Sequence, residues 1–162
     1  MWALAFLTLA LVCPSDSTER RADLDRAVAG YARPLDLPWS PTESPVAWID
    51  VSGDGHEDAL VLLQGRDGCA PGGCTLLVAE AMTDPEEATE WGPFRIAAEV
   101  REVTPPVHVT RSRGGWCDLI AADGLGAARV LRFDGETYPF HPSDGPLLGA
   151  EPTGVTLFAD AP

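Results

Sequence analysis

PVAWIDVSGDGHEDALVLLQ, residues 45–64, decides the fold class of this chain. Two runs of Val, Ala, Leu and Ile flank a nine-residue segment, Asp50 to Asp58, that is dense in Asp and Gly. Aliphatic and β-branched residues suit a pleated, buried surface, while Gly and Asp let the backbone reverse. The stretch therefore reads as two antiparallel strands, residues 45–51 and 58–64, joined by an acidic bend. The pattern repeats outward in CTLLVAE (74–80), PFRIAAEV (93–100), PVHVTR (106–111), WCDLIAA (116–122) and AARVLRFD (127–134), with a turn at DGET (134–137). A short last strand at GVTLF (154–158) would complete the set.

Before the strands, Ser17 or Thr18 can cap a helix running to about Gly30. Leu24, Val28 and Tyr31 share one face of it at i, i+4 and i+7, which predicts docking on a sheet. The prolines of residues 33–45 prevent the helix from continuing. The predicted fold is α+β: one N-terminal helix packed on a twisted antiparallel β-meander of about six or seven strands. Residues 14–44 form the helix and Pro-rich connector, 45–140 the sheet domain, and 141–162 a loosely packed tail. At 162 residues the chain has the size of one domain, and no fixed period marks a solenoid or a propeller.

Residues 2–12, WALAFLTLALV, are too short to span a bilayer and read as the apolar core of a signal peptide covering residues 1–13. A buried N-terminal strand is the competing reading. Cys13 ends the run as a lipidation cysteine would, although Val12 stands where a lipobox has a smaller residue. The expected location is periplasmic or secreted, with membrane attachment only through a lipid on Cys13. All charged residues follow Cys13, and the net charge of −14 disfavours nucleic acid and anionic lipid as partners. The cationic residues are all Arg, a bias in keeping with a GC-rich genome.

Cys69 and Cys74 bracket Ala70-Pro71-Gly72-Gly73, whose tight reversal can bring two Cα atoms within the roughly 7 Å that a disulfide needs. Half a zinc site is the alternative, but no second ligand pair accompanies it. Cys117 is then left as a buried thiol. His56, His108 and His141 fall on a turn, a strand and the tail, without metal-ligand spacing. Trp39, Trp48, Trp91 and Trp116 read as buried anchors of a small β core.

The bend itself carries the one chemically specific pattern. Asp50, Ser52, Asp54 and Asp58 occupy positions 1, 3, 5 and 9, Gly55 holds position 6, and His56 would present a backbone carbonyl. Oxygens at alternate positions of a curled loop can converge on a hard cation, so calcium is the candidate cofactor. Val61 at position 12 is not the bidentate Glu of a helical calcium loop, which predicts weak affinity, roughly 0.1–1 mM. An acidic turn without metal explains the same residues, because Asp and Gly are favoured in hairpin bends.

The nonapeptide resembles the D-x-[DNS]-x-D-G-x-x-D hairpins of integrin-type FG-GAP and VCBS repeats, where the resemblance implies calcium between two strands. More widely, VLLQGRDGCAPGGCTLLV (61–78), GWCDLI (115–120) and RFDGETYP (132–139) resemble a group of uncharacterised exported proteins or lipoproteins of proteobacteria. That resemblance implies compartment and fold kinship without an activity. The expected function is a non-catalytic exported binding or structural module, stabilised by calcium if the loop holds it. An inhibitor or adaptor that inserts the disulfide loop 65–74 into a protein partner is the alternative. Hydrolysis by the Asp cluster lacks a companion nucleophile.

Overall fold

The computed structural model describes residues 17–65, 69, 72–84, 86–112 and 115–161. The predicted signal segment and Cys13 lie outside the described residues. Helix α1 spans Ser17–Ala32, two residues beyond the predicted end, and passes into a 3-10 turn at Arg33–Leu35 that includes Pro34. Seven strands follow: β1 (Val46–Ile49), β2 (Asp58–Leu63), β3 (Cys74–Ala81), β4 (Phe94–Thr110), β5 (Asp118–Ala122), β6 (Ala128–Leu131) and β7 (Val155–Leu157). Strands β1 to β6 are hydrogen-bonded in sequence order, all antiparallel, and β7 pairs with β4.

The apolar runs explain the layering. Every residue of β2 is buried, and its side chains alternate between two cores: Ala59, Val61 and Leu63 face one, Leu60 and Leu62 the other. Strand β3 does the same with Leu77 and Ala79 against Leu76 and Val78. The first core is closed by Leu24, Ala27 and Val28 of α1. The second collects Val107 and Val109 of β4, Leu119 and Ala121 of β5 and Leu131 of β6. The sheet is thus bent over on itself, and its first half is covered by the helix on one face and by its own second half on the other. Burial on both faces is why β2 and β3 read as continuous apolar runs rather than alternating ones. No helix among the described residues is long and apolar enough to cross a membrane.

Three expectations are corrected. The segments 93–100 and 106–111 are not two strands but one 17-residue strand, β4. Pro105 and Pro106 donate no ladder hydrogen bond, and they fall where the β4–β5 register slips between Thr104 and His108, a bulge that tolerates them. Residues 141–161 are more than a loose tail. Strand β7 pairs with Val107–Val109, Val130 N donates to Pro146 O at 3.0 Å, and Leu157, Phe158 and Ala161 pack against the second core. The tryptophans are not fully buried anchors either: Trp39, Trp48 and Trp116 are half-buried and Trp91 is 40% exposed. Tyr138 holds the central position instead, with its hydroxyl donating to Cys117 O at 2.6 Å.

Candidate functional site

The β1–β2 bend curls as its glycines allow. Gly53 and Gly55 take φ of 79° and 91°, and a Cβ on Gly53 would lie 2.6 Å from Gly115 O. The bend is seated against the segment before β5, where Cys117 N donates to Val51 O at 2.7 Å. From the helix side, Arg20 pairs with Glu57 at 2.9 Å and its guanidinium lies 4.4 Å above the Trp48 ring.

The carboxylates of the bend point in different directions. Asp50 turns into the loop: Oδ1 accepts from Gly53 N at 2.7 Å and Oδ2 from Gly55 N at 3.1 Å. Asp54 stays at the surface, accepts from His56 N at 2.7 Å and has His56 Nδ1 at 3.5 Å. Asp58 is fully buried beneath the bend. Its Oδ2 accepts from Val51 N at 3.0 Å and Ser52 N at 2.9 Å, and its Oδ1 from Ala81 N, at the end of β3, at 3.0 Å. Ser52 is buried, and its Oγ has no hydrogen-bond partner.

As a calcium cradle, this donor set fits incompletely. The orphaned Ser52 oxygen is a free donor of the right kind, but Asp58 is committed to three amides and Asp54 faces away with His56. Among the described residues no group of three or more His, Cys, Asp or Glu is gathered so that it could hold a metal ion.

The other predicted residues are placed as follows. Cys69 and Cys74 form the disulfide, with Cα atoms 4.7 Å apart, so neither sulfur is a zinc-ligating thiolate. Residues 66–68, 70 and 71 of the loop lie outside the described residues. Cys117 is a free buried thiol whose pKa is raised, first by burial. His108 Nδ1 lies 3.1 Å from Thr156 Oγ1, and His141 Nδ1 lies 3.6 Å from Glu102 Oε2, so the three histidines serve separate places.

Sequence reasoning passed over two features. The first is a repeated use of aspartate. Asp123 Oδ1 accepts from Leu125 N and Ala127 N at 3.0 and 2.9 Å while Oδ2 takes Arg129 Nε at 2.8 Å. Asp134 Oδ1 accepts from Glu136 N and Thr137 N at 2.8 and 2.9 Å. The Ala127 and Thr137 amides are the leading causes that hold these two carboxyls below the usual range. The turn at DGET (134–137) was expected, though not the bonds its aspartate accepts, and the D-G pair at 123–124 was the available signal for the other. The second is a pairing under the helix: Tyr31 OH donates to buried Glu99 at 2.6 Å, and Glu99 also meets Arg101. Burial, then the Glu99 contact, pushes the Tyr31 phenol up to about 12.

A cleft of about 670 Å³ opens at the ends of β4, β5 and β6, and its walls include Arg111, Trp116, Asp118, Arg132, Phe133 and Asp134. Comparison with protein-family models, with curated proteins and with solved structures finds no match.

Proposed function

We propose that this chain is a non-catalytic binding or structural module that works outside the cytoplasm. The observation that carries the reading is the employment of its aspartates: Asp50, Asp54, Asp58, Asp84, Asp123 and Asp134 each accept a hydrogen bond from a backbone amide within a bend. A carboxylate fixed as an acceptor for N–H groups stabilises loop shape, and at Asp123 and Asp134 these bonds hold the carboxyl below its usual range, away from the protonated form that acid catalysis needs. The Cys69–Cys74 disulfide supports an oxidising compartment. It also supports, as an alternative use of the same scaffold, insertion of the disulfide loop 65–74 into a partner's cleft.

A second reading, stabilisation by calcium, rests on the buried Ser52 Oγ without a partner. For a cation to settle there, Asp54 would have to leave His56 and turn inward. Thermal melting of the purified protein in EDTA and in excess calcium separates the two. The loop-scaffold reading expects coincident midpoints. Saturation of a calcium site at 100 Kd would stabilise by about 2.7 kcal/mol, and a rise of that order, removed by Asp54→Asn, would establish the second reading instead.

A further inference from the structure

The cleft at the ends of β4, β5 and β6 arises from strand register. Val109, Leu119 and Leu131 point into the second core, so Thr110, Asp118 and Arg132 occupy the opposite face of the sheet. Just beyond these positions the chain leaves the sheet, bringing Arg111, Trp116 and Phe133 around one opening. Its volume of about 670 Å³ lies inside the roughly 300–1,000 Å³ range of small-molecule sites.

One wall is aromatic. The Trp116 and Phe133 rings stack with centroids 4.0 Å apart and planes 8° from parallel. Both meet Tyr138 edge-on, at 6.1 and 5.3 Å, and the Tyr138 hydroxyl is anchored on Cys117 O. The wall is therefore held in place before any ligand arrives.

The charged groups are unequal in their freedom. Asp134 accepts the Glu136 and Thr137 amides on Oδ1, and Asp118 faces Arg132 Nε at 3.5 Å. Arg132 is 69% exposed, so that contact leaves its terminal nitrogens available. Arg111 forms no ion pair among the described residues, unusual in a chain with net charge −14, where most arginines have found a carboxylate. Guanidinium groups favour planar, bidentate recognition of carboxylates.

We propose that this cleft binds a small organic carboxylate with a flat apolar body, the carboxylate held by Arg111 and Arg132 and the body laid against the Trp116–Phe133 wall. The inference deepens the binding-module reading but uses none of the residues of the 50–58 bend. Such a carboxylate belongs equally to a free aromatic acid or to the C-terminal aromatic residue of a peptide.

Isothermal titration of the full chain with phenylacetate and with N-acetyl-phenylalanine tests it, against their uncharged amides and against inorganic phosphate. The expected result is that at least one acid binds, and that its amide and phosphate each bind about tenfold or more weakly. The tighter of the two acids identifies the source. Arg111→Gln and Arg132→Gln should each weaken the acid about tenfold while leaving the thermal midpoint unchanged. Absence of heat with both acids, equal binding of acid and amide, equal binding of phosphate, or indifference to both Arg substitutions in folded variants would overturn the proposal. The EDTA and calcium melts do not depend on this cleft, so its failure is distinguishable from failure of the loop-scaffold reading.

Discussion

Asp58 begins β2 beneath its own hairpin, and its two oxygens serve Val51, Ser52 and Ala81. Removing that carboxylate would leave three amides without their acceptor, those of Val51 and Ser52 in buried positions. Each hydrogen bond to a charged group is worth about 1.5–3 kcal/mol, so Asp58→Ala should cost about 3 kcal/mol or more in urea denaturation. Asp58→Asn keeps an acceptor oxygen but turns an NH2 group toward a backbone N–H, and should fall between the two. A loss under about 1 kcal/mol for the alanine variant would show that the bend has another support. The nine-residue spacing made Asp58 stand out as a ninth-position ligand. Its actual partner at Ala81 was not legible, because that amide is 23 residues away and arrives only when β3 pairs with β2.

At the scale of the element, α1 shows how far a local pattern carries. Leu24 and Val28 were marked by helical spacing, and both are fully buried over Ala59, Val61, Leu77 and Phe94. Ala27 joins them, small enough to let the helix approach. Tyr31 shares that face, yet its hydroxyl reaches past the apolar contact to Glu99, a partner no helical periodicity reveals. Leu24→Ala opens a cavity between helix and sheet and should cost about 2–5 kcal/mol. Arg26→Ala removes only an exposed ion pair with Asp23 at 3.1 Å and should stay within about 1 kcal/mol. Paired denaturant melts compare the two, and equal effects would mean that α1 is not docked through Leu24. Strand β4 teaches the opposite lesson, since the runs 93–100 and 106–111 read as two strands and are one, with a bulge at the prolines between them.

Across the whole molecule, the net charge of −14 is self-repulsive at neutral pH, and titration toward the isoelectric point near 4.3 relieves it. Asp123 and Asp134 act in the other direction. A carboxyl whose pKa is lower folded than unfolded stabilises above its unfolded value, about 3.9, and loses that contribution as pH falls through its folded value. The thermal midpoint should therefore be highest between about pH 4 and 6 and fall steeply below about pH 4. In the Asp123→Asn, Asp134→Asn double variant the acid limb should be shallower. An acid limb of unchanged slope would place the acid sensitivity in other groups.

By itself the sequence determined the apolar runs that lie in strands, the docking face of the helix and the Cys69–Cys74 pairing. All three depend on residues close along the chain: the apolar content of a run, the 3.6-residue spacing, a four-residue reversal. Only the tertiary structure decided that β4 is continuous, that the sheet closes over itself into a second core, and that the carboxylates of the 50–58 bend are spent on amides. It alone brings Arg111, Trp116 and Arg132 around one cleft. Those outcomes rest on contacts between residues tens of positions apart, where direction and register, set by the packed whole, choose each side chain's partner.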